Sequence, residues 1–187
     1  MRGRSRAAVG ERAAKLEELK VRLRHAYDAR DGSGAADAEW SEAAAAFRVA
    51  VAAFYEPYDV VLTGVKAGRP DAIEAATEFL VEDPWCFRSG YLKAELMHAL
   101  ANAHLPVHVT ADLRQVVLRR VSAPQPRLLR YAGQLAANLW DDELEAELRR
   151  LAAVGSSGER LAAARVIAGA RQRLRSLDGQ SRPPREP

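Results

Sequence analysis

Apolar residues recur at helical spacing along almost the whole chain, and no other feature limits the fold as strongly. In the stretch from residue 85 to residue 103 the apolar residues at helical spacing include Trp85, Leu92, Leu96, Ala99, Leu100 and Ala103. This spacing places the side chains on one face of an α-helix, whereas a strand requires strict alternation. Because only short turns with Gly, Pro or Asp interrupt the pattern, the sequence predicts an all-α protein of about eight helices.

Changes in composition divide the chain into four segments. The stretch DGSGAAD predicts a Gly/Ser linker over residues 31–37. It separates an N-terminal charged helix (1–30) from a helical-repeat domain (38–177), and the Pro-rich end (178–187) predicts a disordered tail. The pattern leaves open whether the N-terminal helix packs on the body of the protein or on another copy of the chain.

Individual residues predict where several helices begin and end. Pro57 predicts a break, because proline lacks the amide donor and clashes with the preceding turn. Asp83 and Pro84 predict the cap and first residue of a central helix. Its wide apolar face assigns these side chains to the core: Trp85, Cys86, Phe87 and Tyr91. Further starts are predicted by the cap Thr110, by Asp141, and by the capping box from Ser156 to Glu159.

The C-terminal half contains an internal repeat. VSAPQPRLLRYAGQLAANL and VGSSGERLAAARVIAGARQRL align Val121 with Val154 and Arg127 with Arg160, both at an offset of 33 residues. Pro84 and Pro126, 42 residues apart, suggest a larger unit of the same kind. Periods of this size are typical of helical repeats. They favour an open stack of helix pairs over the alternative, a closed helical bundle.

The segment APQPRLLRYAGQLAANL resembles the second half of a HEAT repeat, in which a turn with Pro or Asp leads into a helix with an early basic residue and small apolar residues after it. The resemblance covers residues 71–177. It implies a right-handed superhelix of antiparallel helix pairs that binds other proteins or, in some branches, nucleic acids. HEAT-like proteins seldom catalyse reactions.

Charge and composition limit the environment in which the chain works. Residues 1–30 carry nine basic and four acidic side chains, residues 31–110 five and twelve, and residues 111–187 fourteen and nine. Acidic and basic regions of this kind can attract a charged partner or a second copy.

The excess of Arg over Lys, together with abundant Ala, is typical of a GC-rich bacterial genome. A single Cys predicts no disulfide framework and favours a reducing cytoplasm, and the absence of a long apolar run predicts no membrane span.

The sequence offers little chemistry for catalysis. It contains no P-loop, dinucleotide-binding fingerprint, HExxH or nucleophile elbow, so we expect no cofactor. His104 and His108 have the spacing of two metal ligands, but Pro106 between them interrupts the helical register, so we expect no metal site. Cys86 and His98 are about 18 Å apart along one helix, too far to act as nucleophile and base. The carboxylates form a predicted solvated ridge: Glu74, Glu78, Glu82 and Asp83.

Two functional hypotheses remain. The first is a non-enzymatic adaptor or scaffold that binds another protein through polar stripes on helices otherwise built for burial, with these candidate residues: Arg88, Arg127, Arg130, Gln134 and Asn138. The alternative is salt-sensitive binding of a nucleic-acid backbone by a C-terminal arginine cluster: Arg149, Arg150, Arg160, Arg165 and Arg171. The oligomeric state stays open under both.

Overall fold

The computed structural model describes residues 2–180, and the side chains of residues 8–177. This part of the chain contains helices and no strand, which confirms the all-α prediction. The helices are α1 (Arg2–Asp28), α2 (Gly34–Lys66), α3 (Pro70–Glu82), α4 (Ser89–Ala101), α5 (Val107–Ser122), α6 (Pro126–Asn138), α7 (Asp142–Val154) and α8 (Ser157–Gln180). Residues 181–187 of the predicted tail lie outside the described residues, and residues 178–180 belong to α8.

The helices pack in two layers. The even-numbered helices lie side by side in one layer, where α2 contacts α4, α4 contacts α6, and α6 contacts α8. The odd-numbered helices form the other layer in the same way, from α1 through α3 and α5 to α7. Contacts between consecutive helices, such as α1 with α2 and α7 with α8, join the layers. Each helix therefore buries an apolar stripe against neighbours in its own layer and in the opposite one.

One hydrophobic core runs through the described residues, from Val9 in α1 to Ala170 in α8. Its N-terminal part contains the large rings of Phe54, Tyr58 and Phe79, and the Tyr58 and Phe79 centroids lie 4.6 Å apart. Its C-terminal part consists of Leu, Val and Ala. Smaller side chains let the backbones of α6 and α8 approach each other more closely, which becomes important for the surface described below.

The N-terminal helix packs on the body of the same chain. Val9, Ala13 and Leu16 are buried in the core, and α1 contacts both α2 and α3. The connection after α1 is shorter than the predicted linker, because α2 already begins at Gly34. The Ser33 side chain caps this helix by accepting a hydrogen bond from the Ala36 amide.

The predicted break at Pro57 is wrong, since α2 continues through it to Lys66. Pro57 and Ala53, whose carbonyl loses its helical partner, both lie on the exposed side of the helix. Water can therefore satisfy that carbonyl, and the buried side chains of Phe54 and Tyr58 hold the helix against the core.

The predicted helix start at Asp83 and Pro84 is also wrong. Asp83 instead ends α3 in a left-handed conformation (φ 54°), and α4 begins only at Ser89, after Arg88, which also has a positive φ (63°). Pro84 and Pro126 are therefore not equivalent positions of a repeat, since only Pro126 opens a helix. We call residues 83–88 the α3–α4 connection.

Two side chains assigned to the core are in fact on the surface. Trp85 is 56% exposed and Tyr91 is 55% exposed, whereas Cys86 is buried and Phe87 packs partly buried against the core. For Trp85 the reason is the late start of α4, which changes the direction of the side chains before Ser89 relative to a continuous helix. Tyr91 lies within α4, on the side of that helix that faces away from the core.

The remaining helix starts were predicted with mixed success. Asp141 caps α7 by accepting a hydrogen bond from the Leu144 amide. The capping box is also present, because the Ser156 amide donates to Glu159 Oε2 and the Glu159 amide donates to Ser156 Oγ. Thr110 is not a cap, since α5 already begins at Val107. Within residues 2–180, no helix combines the length and apolar composition that crossing a bilayer requires.

Candidate functional site

A polar surface extends over the outer sides of α4, α6 and α8, and we call it the even-helix face. Its members, which lie half-buried or exposed at the surface, are Glu95, His98, Asn102, Arg127, Arg130, Gln134, Asn138, Arg165, Gln172 and Arg173. The face exists because each of these helices buries one stripe in the core and turns its polar residues away from it. The structure thus places four of the five predicted protein-binding residues on one helix of this face, α6.

A groove of about 590 Å³ runs between α6 and α8 within the even-helix face. We call it the α6–α8 groove. Its floor includes Leu129 and Gly169, and its polar lining includes these side chains: Arg130, Gln134, Arg165, Gln172 and Arg173. Among the residues that line the groove, all of them within the described part of the chain, none is acidic.

Two glycines set the depth of the groove. A Cβ atom at Gly133 would lie 3.3 Å from the Val166 carbonyl oxygen and 3.4 Å from the Gly169 Cα atom. A Cβ atom at Gly169 would in turn lie 3.5 Å from the Gly133 Cα atom. The α6 and α8 backbones therefore approach each other at a point where no side chain projects. No side chain fills the groove there, so it stays open between Arg130 on α6 and the arginines of α8.

One arginine of the groove is held in place by neutral partners. The Arg173 guanidinium donates hydrogen bonds to the Ala101 carbonyl oxygen at 3.1 Å and to Asn102 Oδ1 at 2.7 Å. These bonds fix the guanidinium against the end of α4, but they do not neutralise its charge. The Arg130 guanidinium lies 5.9 Å from the centre of the Tyr131 ring.

Polar side chains also connect α4 to α6 across the face. His98 Nδ1 lies 2.9 Å from Gln134 Oε1. The Asn138 amide donates hydrogen bonds to the carbonyl oxygens of Leu100 and Ala103. Asn138 therefore satisfies carbonyl groups at the end of α4 and ties α6 to that end.

The other predicted residues lie at the beginning of the face. The Arg127 guanidinium stands 4.2 Å from the centre of the exposed Tyr91 ring, the geometry of a cation–π pair. Arg88 precedes α4 by one residue, one turn before Tyr91, and its guanidinium lies 5.3 Å from the Phe87 ring. An exposed Tyr next to an Arg is the composition found at the centre of many protein interfaces.

The residues of the alternative nucleic-acid site are divided between the layers. Arg149 and Arg171 each lie 2.9 Å from Glu145 Oε1, and the hydrogen bond from Arg171 is the main reason why the pKa of Glu145 is lowered. Arg150 is paired with Glu147. These three cations are therefore partly neutralised by carboxylates of α7.

The last two members of that cluster lie on α8. Arg160 has its guanidinium 3.4 Å from Ser157 Oγ in the first turn of the helix. Arg165 lines the α6–α8 groove. Arg165 is therefore the one residue of the alternative nucleic-acid site that lines the α6–α8 groove.

Sequence reasoning missed a buried cluster of charges beneath the α3–α4 connection. Lys93 and Arg120 are 1% and 2% exposed, and both form ion pairs with Asp83. Lys93 Nζ lies 2.7 Å from Asp83 Oδ1, although the two groups are not aligned as a hydrogen bond. A signal was available, since Lys93 stands between apolar positions of a helix and is one of only four lysines.

The charge cluster joins the end of α3 to α4 and α5, and it offers no reactive group to solvent. The ring of Trp85 covers Lys93, whose Nζ atom lies 3.9 Å from the ring centre. Burial lowers the pKa of Lys93, and the Asp83 carboxylate opposes that shift. Because Trp85 and the core enclose the amine, Lys93 lacks the access that a nucleophile needs.

The other candidate residues for chemistry are separated. His108 Nε2 lies 2.7 Å from Glu74 Oε1, whereas His104 lies in the preceding loop. In the part of the chain that the structure describes, no three His, Cys, Asp or Glu side chains converge as a metal site would require. Burial raises the pKa of the Cys86 thiol, whose Sγ is 3.9 Å from the Tyr55 hydroxyl, and His98 is engaged elsewhere with Gln134.

Comparison with protein-family models, with curated proteins and with solved structures found no match to this chain. The class of this protein therefore rests on its structure alone: it is an all-helical, two-layer protein with a basic groove in one layer. The resemblance to HEAT repeats stays a hypothesis.

Proposed function

We propose that this chain is a non-enzymatic helical-repeat adaptor that binds another protein through the even-helix face. We also propose that its two layers belong to a right-handed, HEAT-like superhelix, and that the protein acts in a bacterial cytoplasm. The observation that carries the functional proposal is the α6–α8 groove, which is lined by three arginines and by no acidic residue.

Two further features support a surface built for contact rather than for catalysis. Tyr91 and Arg127 form an exposed aromatic–arginine pair at one end of the face. Tyr and Arg are enriched among the residues that dominate binding energy at interfaces. The groove is open, whereas an active site typically encloses its substrate and excludes water.

Affinity purification of the tagged full-length chain, followed by mass spectrometry, tests this proposal. We expect a partner in stoichiometric amount that is lost from the double variant Arg127→Glu, Arg130→Glu. The matched control is Arg22→Glu, Arg24→Glu on α1, which changes the charge equally in the other layer. Circular dichroism checks that both variants are folded.

Two outcomes contradict the adaptor proposal. One is that no stoichiometric protein is recovered with the wild-type chain. The other is that the partner is retained equally by the α6 variant and the α1 control, because the even-helix face would then not be the binding surface.

The nucleic-acid alternative receives less support from the charge distribution. Arg149, Arg150 and Arg171 are paired with glutamates, so fewer free cations would face a phosphate backbone. A mobility-shift assay at low and moderate salt separates the two hypotheses. No shift at low salt removes the alternative, whereas a shift that weakens steeply with salt supports it.

A further inference from the structure

We infer that the α6–α8 groove binds an acidic segment of a partner protein, in which carboxylate side chains flank an apolar one. This inference rests on the proposed protein-binding function and specifies the chemistry of the partner. It follows from the combination of an apolar floor with a rim of arginines.

The floor of the groove suits an apolar side chain. Pro126, Leu129 and Ala168 line it together with Gly169, which contributes no side chain of its own. The backbones of α6 and α8 close the floor from below at Gly133 and Gly169. An apolar side chain that entered this depression would be removed from water on several sides, which is favourable in proportion to the area buried.

The rim of the groove suits carboxylates. Arg130 lies on α6, and Arg165 and Arg173 lie on α8, so guanidinium groups stand on both sides of the floor. A guanidinium binds a carboxylate with two parallel hydrogen bonds, which a single amine cannot do. Arg173 Nη2 already donates to the Ala101 carbonyl oxygen and to Asn102 Oδ1, so Arg173 contributes a fixed positive charge and its remaining N–H groups, and the two-bond contacts fall to Arg130 and Arg165.

Charge and composition argue against two other occupants. Residues 181–187 follow α8, but they contain two arginines and one glutamate, so their side chains carry no net negative charge to match the groove. A nucleic-acid strand would also bring negative charge, but bases bind on aromatic rings, and the residues that line the groove include none. The apolar floor is therefore better matched by a peptide side chain.

Fluorescence anisotropy with the full-length chain tests the inference directly. The probe is a fluorescein-labelled peptide in which Glu residues flank a single Leu. Two matched peptides replace either each Glu with Gln or the Leu with Ser. We expect the acidic peptide to bind, the Gln peptide to bind at least roughly tenfold more weakly, and the Ser peptide to lie between them.

Variants of the groove provide the second comparison. The double variant Arg130→Gln, Arg165→Gln should weaken binding of the acidic peptide roughly tenfold. The control Arg160→Gln, Arg175→Gln removes the same charge from positions of α8 that do not line the groove, and its affinity should stay within about twofold of the wild type. Circular dichroism verifies that both proteins are folded.

Several results would overturn the inference. Equal losses in the groove variant and its control would show attraction by net charge alone. Tighter, groove-dependent binding of labelled oligo(dT) than of the acidic peptide would identify a nucleic-acid site. Light scattering that shows a dimer, lost in the groove variant, would make a second copy of the chain the occupant.

The inference and the proposed function can fail separately. If the acidic peptide does not bind but a cellular partner is recovered through the even-helix face, the inference is wrong and the adaptor proposal stands. If the peptide does not bind and the double variant Arg127→Glu, Arg130→Glu still captures every partner, both the inference and the adaptor proposal are wrong.

Discussion

The α3–α4 connection and the α6–α8 groove use basic side chains in opposite ways. Below the connection, Lys93 and Arg120 are almost completely buried and share Asp83 as their counter-ion. In the groove, Arg130, Arg165 and Arg173 lie at the surface without an acidic residue in the lining.

This difference follows from the cost of removing charges from water. A buried cation is tolerated only when an anion and hydrogen bonds compensate for the lost hydration, so the cluster at the connection must be neutralised within the chain. A surface cation stays hydrated and needs no such partner. The position of the counter-ions, more than the number of arginines, therefore distinguishes a structural cluster from a surface that can bind an anionic partner.

The largest effect is expected for Asp83→Asn. Asparagine also tolerates the left-handed backbone of this position, so the substitution removes the charge without forcing a change of conformation. Lys93 and Arg120 would then share a buried site without a counter-ion. We expect a loss of about 3 kcal/mol in the free energy of unfolding, measured by urea denaturation.

The control for Asp83→Asn is Glu18→Ala, which breaks an exposed ion pair with Lys15 at 2.9 Å. Its free energy of unfolding should change by less than about 0.5 kcal/mol. If Asp83→Asn also costs less than about 1 kcal/mol, the buried cations do not depend on Asp83 and the contrast with the groove is wrong.

The second largest effect is expected where α6 and α8 approach each other. In Gly133→Leu the Cβ atom would start 3.3 Å from the Val166 carbonyl oxygen, and the remaining side-chain atoms would push the helices apart. We expect a loss of about 2 kcal/mol in urea denaturation and weaker binding of the acidic peptide.

Gly158→Leu is the matched control, because the nearest atom to its Cβ is Pro124 Cγ at 3.9 Å. This variant should be as stable as the wild type or more so, since Leu favours the helix more than Gly does. Equal stability of both variants would mean that the close approach at Gly133 does not hold the floor of the groove.

The fold class was largely predictable from the sequence because helices leave local signals. The apolar spacing, the cap at Asp141 and the capping box at Ser156 depend on neighbouring residues, and the structure confirms them. The prediction failed at Pro57 and at Asp83, where tertiary contacts decided. Packing of Phe54 and Tyr58 holds α2 together, and Asp83 faces two cations from other parts of the chain.

The candidate site was predictable only in part. The polar stripe on α6 identified Arg127, Arg130 and Gln134, because a helix fixes which residues share a face. The groove is formed by α6 and α8 together. The polar stripe of α6 alone could therefore not show that Arg173 of α8 belongs to the groove. The hydrogen bonds of Asn138 were equally hidden, since its partners are backbone carbonyls of α4 and the following loop.

The third prediction concerns Tyr58, which lies near the buried region of the connection and packs on Phe79 of α3. Burial raises the pKa of Tyr58 from 10.0 to about 12. Between these pH values the unfolded chain releases the phenolic proton and the folded chain keeps it, so stability falls as pH rises. Tyr58→Phe should remove up to about 2 kcal/mol of this fall, as measured by urea denaturation across that pH range.

Comparison of the wild type with Tyr58→Phe isolates the effect, because the other groups titrate in both proteins. A second phenol, Tyr55, also has a raised pKa, mainly because of burial, so the variant should still lose some stability. Identical pH dependence of the two proteins would show that the phenol of Tyr58 is not enclosed by the core.

The smallest effect is a change in the free energy of unfolding whose sign differs between the groove arginines and the arginines paired with Glu145. In Arg130→Gln, Arg165→Gln the like charges of the groove no longer repel one another, so the protein should become more stable by a few tenths of a kcal/mol at low salt. In Arg149→Gln, Arg171→Gln the Glu145 carboxylate loses both cations, so stability should fall slightly instead. Both differences should shrink in urea denaturation at high salt, because exposed charges are screened. If both variants shift stability in the same direction, the groove arginines are neutralised like those of α7 and would not be available to an acidic partner.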